Sequence, residues 1–419
     1  MRADADTPHE DVARAELRAR AVWFAELAGW RRGFVGGLAA KFGGLGAALL
    51  LEPRAVAAAS AARRRAARNG EADAESEAES SAFAAVLARG PSPEAAPDPS
   101  VVTWVDEAYP PQLRELPDPP PALFLSGLAT AGLEALGRRH VVAVVGSRSP
   151  SAYGREMAAT IARDLTAAGV LVVSGLALGI DAAAHEAALD AARGRRAGNA
   201  SRDRPSGGVA TVAVLGCGVD VEHPPSNRRL FARVRGEGLL VSEFTWGIGA
   251  RPWRFPARNR VMAGLSEATV MVEGAERSGA LITARYALDL GRDVFAVPGE
   301  AGRRLSAGPH RLLRQGAAVC ESARDVLEAL GYGDLAVGWG DRLTGQEAAA
   351  GNEAADGTEE DDPARRVAGA LDGGARTADQ LAAATRLAVP DVLALLAGLE
   401  VDGAVEACGG GAYRVRRGR

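Results

Sequence analysis

Val141-Val142-Ala143-Val144-Val145-Gly146-Ser147-Arg148 is echoed downstream by Leu171-Val172-Val173-Ser174-Gly175-Leu176-Ala177-Leu178-Gly179-Ile180-Asp181. Each is a short apolar run that breaks into a small glycine-containing loop and then into a helical pattern. In a parallel α/β sheet such a loop sets backbone N–H groups and a helix N-terminus at the carboxyl end of the strand, where phosphate binds. No G-x-x-x-x-G-K-[ST], no metal-spaced Cys/His cluster and no nucleophile–base pair accompanies the two runs. The residue types therefore suit holding phosphates, with no visible means of cutting them and no cofactor implied.

Outward from these runs the pattern alternates. Strand-like segments at residues 141–145, 170–174, 211–215, 239–242, 269–272 and 294–297 are separated by helical patterns at 154–168, 181–192, 227–235, 259–265 and 281–290. This rhythm predicts an α/β fold, an extended Rossmann-like doubly wound parallel sheet, over residues 104–331. The lead-in from Tyr109 to Gly127 reads as extended chain with one edge strand. The Arg-, Ser- and Gly-rich stretch 194–208 reads as a surface insertion without a fold of its own.

The flanks differ in composition. Residues 1–69, rich in Ala and Arg, predict a helical N-terminal region; 70–103 read as a disordered acidic linker and 332–362 as an acidic, Gly-rich one. In 363–419, Thr377-Ala378-Asp379-Gln380 resembles a capping box, Pro390 can open a second helix, and Val405 and Val415 flank a Gly409-Gly410-Gly411 turn. That order of short helices and a hairpin spells a C-terminal winged helix.

Composition narrows the function classes. Three scattered cysteines, Cys217, Cys320 and Cys408, fit a reducing cytoplasm better than a disulfide framework. No signal peptide is read at the start. The apolar stretch 34–51 carries Lys41 near its middle, which opposes a membrane span. The net charge of −4 hides an asymmetry: residues 140–330 hold 24 Arg against 19 Asp plus Glu, and the acidic excess lies in the flanks. A basic core with acidic tethers suggests a polyanion partner.

The candidate site gathers helix starts. Gly146, Ser147 and Arg148 follow the first strand, and Ser174, Gly175 and Gly179 the second; either could be a plain βα turn, but two side by side suggest an anion site. Asn227 and Arg228 open the helix after the third strand. In Arg251-Pro252-Trp253-Arg254-Phe255-Pro256-Ala257-Arg258-Asn259-Arg260, four Arg alternate with two rings, a pattern that suits single-stranded nucleic acid. The rings are equally readable as core plugs, whereas Arg258, Asn259 and Arg260 are expected to face the ligand. Ser278, Gly279 and Thr283 add a further helix start. Asp181 and His185, at i and i+4, are read as a structural pair with no acid/base role.

Together these residues resemble the DNA-processing protein A (DprA/Smf) family. The matching text is V-V-G-S-R at 144–148, S-G-L-A-x-G-I-D-x-x-A-H at 174–185, L-G-C-G-V-D at 215–220, F-P-A-R-N-R at 255–260, R-S-G-A-L-I-T-A at 277–284, V-F-A-V-P-G at 294–299 and G-P-H-R-L-L-R-Q-G-A at 308–317. The resemblance implies a cytoplasmic homodimer that binds single-stranded DNA without sequence preference, protects it, and helps load RecA recombinase in DNA uptake and recombination. The family's binding Arg falls on Arg148, and a basic position after the third strand falls on Arg228. This chain departs from the family at His223-Pro224, where Tyr-Pro is common, and at Pro225, where a Lys is common.

Two rival readings remain at this point. A nucleotide phosphoribohydrolase on the same Rossmann variant would carry P-G-G-x-G-T-x-x-E; Pro298-Gly299-Glu300-Ala301-Gly302-Arg303 keeps the opening and lacks the Thr and Glu. A DNA-reading repressor would use the winged helix, but its candidate recognition helix, 391–400, contains no Arg or Lys. That domain is expected to contact protein.

Overall fold

The apolar runs form the interior of one nine-stranded sheet. The computed structural model describes residues 8–30, 34–42, 44–66, 77–92, 100–197 and 208–331 of a first unit, and parts of 370–415 in a second. In chain order the first unit holds α1 (Pro8–Trp30), α2 (Phe34–Phe42), α3 (Leu45–Leu49), α4 (Pro53–Ala66), α5 (Glu77–Arg89), β1 (Val101–Thr103), α6 (Pro111–Arg114), β2 (Ala122–Gly127), α7 (Ala129–Arg138), β3 (Val141–Val145), α8 (Ala152–Ala167), β4 (Leu171–Ser174), α9 (Ile180–Ala197) and β5 (Thr211–Leu215). It continues with α10 (Arg228–Glu237), β6 (Leu239–Ser242), α11 (Arg254–Leu265), β7 (Ala268–Met271), α12 (Ala280–Asp289), β8 (Asp293–Ala296), α13 (Ala307–Arg314), β9 (Ala318–Val319) and α14 (Ala323–Ala329).

The sheet order is β1-β2-β6-β5-β4-β3-β7-β8-β9. From β6 to β9 every pairing is parallel. Every residue of β3, β4 and β5 is buried, as expected of strands covered on both faces. Alternation sorts their side chains: Val212 and Val214 join Leu239 and Val241 on one face, while Ala213 and Leu215 join Leu240, Leu176 and Phe231 on the other. The chain leaves β3 through α8 toward β4, and returns from β6 through α11 to β7 on the other side of β3. The reversal opens a crevice at the carboxyl ends of β3 and β7, where ligands of doubly wound sheets bind.

Three expectations are corrected. β2 is not an edge strand: it lies between β1 and β6, antiparallel to both. The edge is β1, whose outward backbone is largely occupied, since Arg18 Nη2 donates to the Val101 carbonyl at 3.4 Å and Asp106 exchanges bonds with Thr103. Second, the stretch 70–103 is not linker throughout. Phe83, Val86 and Leu87 make a short helical stripe on α5; Phe83 is buried edge-on against Phe34 at 5.1 Å, and Trp23 Nε1 donates to the Val86 carbonyl at 2.8 Å. Third, α9 runs on to Ala197, into the expected insertion; residues 198–207 lie outside the described residues.

The helical N-terminal region is present and has its own core of Trp23, Phe24, Leu27, Phe34, Leu49 and Phe83. Helix α1 also sends Val22 and Ala25 into the core against the sheet. In the second unit, β10 (Arg376–Thr377), α15 (Ala378–Thr385), β11 (Val405–Cys408) and β12 (Ala412–Val415) surround Leu371, Leu381, Val392 and Leu396. The capping box forms: Gln380 N donates to Thr377 Oγ1 at 3.4 Å and Thr377 N to Gln380 Oε1 at 3.0 Å. Val405 pairs with Val415. The Gly409–Gly411 turn and much of the 391–400 helix lie outside the described residues.

Candidate nucleic-acid interface

The crevice at the carboxyl ends of β3 and β7 has a volume of about 630 Å³. Of the expected site residues, Gly146, Ser147, Arg148, Arg258, Asn259, Ser278, Gly279 and Thr283 line it, together with Phe255, Ile282 and Arg304. Ser174, Gly175, Gly179, Asn227, Arg228 and Arg260 do not.

Not every helix start is available to a ligand. Glu273, which sequence reasoning missed, takes the head of α8: its carboxylate accepts from Ser151 N at 2.9 Å and Ser151 Oγ at 2.6 Å. Asp181 does the same for the 175–179 loop, accepting from Gly175 N at 3.1 Å and Ala177 N at 3.4 Å. An internal carboxylate at each place already supplies the negative charge that a phosphate would bring. Helix α12 differs. Its N-cap, Gly279, has no side chain to offer, no carboxylate sits there, and only Ser278 Oγ reaches back, accepting from Ala280 N at 3.3 Å. Its positive end lies on the crevice beside Thr283, whose buried Oγ1 has no hydrogen-bond partner among the described residues.

Arg148 is exposed at the mouth of the crevice, its guanidinium 5.2 Å from the centre of the Phe255 ring. Phe255 is half-buried against Gly216, where an added Cβ would come within 2.9 Å of the ring, and it faces His223 at 5.6 Å. Burial, and then the Arg148 charge, lower the His223 pKa below its ordinary value, so the imidazole is neutral at pH 7 and adds surface without charge. Arg304, also missed, is exposed and lines the crevice. Its turn is fixed by backbone bonds of 2.7 Å from Gly274 N to Leu305 O and 2.8 Å from Gly308 N to Gly274 O.

Several of the expected site residues, inside and outside the crevice lining, make bonds within the protein. Ser174 Oγ is buried and donates to the Val144 carbonyl at 2.7 Å, tying β4 to β3. Arg258 is 4% exposed; its Nη1 donates to the Gly175 carbonyl at 2.8 Å and also to that of Val214. Gly175 is required for that passage, because a Cβ there would lie 2.2 Å from Arg258 Nη1. Burial, and after it the like charge of Arg148, lower the Arg258 pKa against the opposing pull of Asp181. Arg258 thus contributes positive field to the crevice floor, with its Nε and Nη1 donors committed to the protein. Asn259 bridges Arg258 Nε at 3.1 Å and the Gly279 carbonyl at 3.2 Å. Arg260 is ion-paired with buried Glu243 and lies 3.3 Å from Asp118.

Asn227 braces the 175–179 loop through the carbonyls of Leu176 at 3.0 Å and Ala177 at 3.1 Å. Gly179, at φ +81°, packs where a Cβ would be 2.3 Å from the Ser147 carbonyl oxygen. Arg228 is exposed but paired with Glu222 at 2.7 Å. Of the two rings in the Arg-rich segment, Trp253 is a packing residue, edge-on to Phe244 at 6.0 Å.

Asp181 and His185 are both structural but do not bond each other as a pair. Buried His185 donates from Nδ1 to Thr211 Oγ1 at 2.9 Å, the Thr211 hydroxyl itself being committed to the Val172 carbonyl at 2.7 Å. Burial is the main cause holding the His185 pKa down to about 3. The unfolded chain therefore takes up this proton first. His185's contribution to stability is complete above its ordinary value of about 6.5 and falls by about 1.4 kcal/mol per pH unit below it, down toward 3. Unfolding free energy should drop by roughly 2 kcal/mol from this residue between pH 6.5 and pH 5. Urea unfolding across that range checks it, and His185→Gln should lack that part of the slope.

Burial also pushes the Cys217 thiol up to about 11 and the Cys320 thiol up to about 12, which leaves both protonated and unsuited to nucleophilic attack. Among the described residues, no group of three or more His, Cys, Asp or Glu could hold a metal ion, and no helix is long and apolar enough to cross a membrane. The Pro298–Gly299 corner is held by packing. The Pro298 carbonyl accepts from Tyr153 Oη at 2.8 Å, and the Gly299 carbonyl lies 2.9 Å from His310 Nε2.

Known proteins fit this architecture. Residues 100–331 match the family described as DNA recombination-mediator protein A, and residues 351–411 match the DprA winged helix domain. The chain is 36% identical over 340 residues to protein Smf of Synechocystis, spanning 76% of this chain and 81% of that protein. It is 41% identical over 300 residues to a putative DNA processing protein DprA of Mycobacterium tuberculosis, spanning 70% and 69% of the two chains. The crystal structure of DNA processing protein A from Streptococcus pneumoniae superposes with a TM-score of 0.55 at 31% identity, covering 73% of this chain and 96% of that one. Over both its sheet domain and its C-terminal winged helix, the chain is a member of the DNA recombination-mediator protein A (DprA/Smf) family.

Proposed function

We propose that the crevice binds single-stranded DNA by its backbone, without sequence preference, and that the protein handles DNA without chemically altering it. One observation carries this reading. Arg148 stands exposed at the mouth of the crevice, stacked on a ring and with no ion pair among the described residues, next to the positive end of α12. A guanidinium so placed can meet a phosphate while the adjoining ring offers a face to a base. Relatives carrying the name DNA processing protein support DNA as the polyanion. Family membership supports the wider role: a cytoplasmic homodimer that protects single strands and loads RecA recombinase in DNA uptake and recombination.

Fluorescence anisotropy of a labelled oligo-dT, set against duplex of the same length across salt, tests the reading. Binding should favour the single strand and weaken steeply with salt, the log–log slope being about −0.7 per phosphate neutralised. Arg304→Ala should make that slope shallower by about 0.7 and weaken all sequences alike. Equal affinity for both DNA forms, or release of free base from nucleoside monophosphates, would replace this reading.

A further inference from the structure

The segment that carries Phe255 does not rest on the sheet alone. Arg254, at the head of α11, is 1% exposed. Its Nη2 donates to the Gly29 carbonyl at 2.6 Å and its Nη1 to the Gly249 carbonyl, with the guanidinium 5.0 Å from the Trp253 ring centre and 5.6 Å from that of Phe244. Gly29 belongs to the last turn of α1, where carbonyls lack partners within the helix and the dipole is negative. A buried guanidinium answers both needs. Gly29 also packs on Ile248, 3.8 Å from where its Cβ would be, and the Ile248 carbonyl accepts from Gly218 N at 2.8 Å. The loops after β5 and β6 therefore meet at the end of α1. From there the contacts run on: Arg254 is followed by Phe255, and Phe255 stacks under Arg148.

We propose that Arg254 is a positioning residue for the single-strand site, a clasp between the end of α1 and the head of α11 that fixes Phe255 and, through it, the exposed guanidinium of Arg148. The proposal rests on the single-strand reading above. It makes the N-terminal helices a working part of the DNA site rather than an appendage. A long side chain stacked on a fixed ring is held ready for its phosphate; on a displaced ring it is not. A purely space-filling Arg254 would affect stability and nothing else.

The test uses the full chain, oligo-dT anisotropy across a salt series, and the variants Arg254→Met, Arg254→Lys, Arg148→Ala and the Arg148→Ala/Arg254→Met double. The Met variant should bind about fivefold more weakly. Its salt slope should also become shallower, by up to about 0.7, although Arg254 is buried and cannot itself reach a phosphate. Arg254→Lys, which keeps one donor, should fall between Met and wild type. The double variant should bind within about twofold of Arg148→Ala, because both changes remove the same contact. Wild-type affinity and slope in Arg254→Met, or losses that multiply in the double variant, would overturn the clasp. Should the Met variant fail to fold, Arg254→Lys decides: a shallower slope with native circular dichroism supports the clasp, and a wild-type slope overturns it. An Arg148→Ala protein that binds like wild type sinks the single-strand reading itself. A weakened Arg148→Ala beside an unaffected Arg254 variant sinks only the clasp.

Discussion

Arg148→Glu should lower affinity for oligo-dT by about a hundredfold at low salt, close to 2.8 kcal/mol of binding free energy. Two effects add. The variant loses a charge-assisted contact with phosphate, worth about 1.5–3 kcal/mol. It also sets a carboxylate beside the strand, at the mouth of a crevice whose floor holds the buried positive charge of Arg258. Because Arg148 is exposed, the repulsive part is screened, and the loss should shrink as salt rises. The fold should not suffer: the guanidinium rests on the Phe255 ring, and among the described residues no buried partner loses its bond. Anisotropy titrations at two ionic strengths, beside a thermal melt, check both halves. A variant within twofold of wild type would remove Arg148 from the interface.

Arg260→Ala should do the opposite, leaving the DNA contact alone and damaging the fold. Arg260 and Glu243 are paired where their side chains are 11% and 5% exposed. Burial raises the Glu243 carboxyl pKa, and the Arg260 charge opposes that rise. Without the guanidinium, Glu243 stays buried beside nothing that compensates it, and one-sided losses of this kind destabilise by about 3–5 kcal/mol. The urea midpoint should fall accordingly. At temperatures where the variant is folded, its salt slope for oligo-dT should match wild type, since Arg260 does not line the crevice. Replacing both partners, as in Glu243→Leu with Arg260→Met, should recover much of the loss. A shallower slope in Arg260→Ala would restore this residue to the DNA-contact set.

The contrast between these arginines shows where sequence reading reaches and where it stops. The strands were legible because a strand covered on both faces is apolar throughout, as Val141–Val145 and Thr211–Leu215 are nearly throughout. The position of the crevice followed from the glycine loops at their ends. Arg258 lines the crevice and Arg260 does not, and the burial of both escaped the reading because spacing along a helix gives no hint that a polar residue is buried. Every residue from Arg258 to Leu265 of α11 is buried, so its charges find partners on other elements, Gly175, Val214 and Glu243 among them. Glu273 was invisible for a related reason. It caps a helix at Ser151, 122 positions away, and no local pattern announces such a partner. Helix α5 escaped because three apolar side chains in an acidic, Ser-rich stretch are too few to alter its composition.

The outermost strand of the sheet bears on how the molecule meets its own kind. On β1 three of the groups facing away from β2 are already engaged, the Val101 oxygen by Arg18 and both the Thr103 nitrogen and oxygen by Asp106. Arg18 and Asp106 are themselves ion-paired, so the two guards hold each other in place. A neighbouring polypeptide that tried to extend the sheet here would first have to evict a salt bridge. The opposite margin, Ala318–Val319, is exposed. Lateral growth is therefore opposed on one flank, and intermolecular strand pairing, if forced by heat or crowding, should begin at the other.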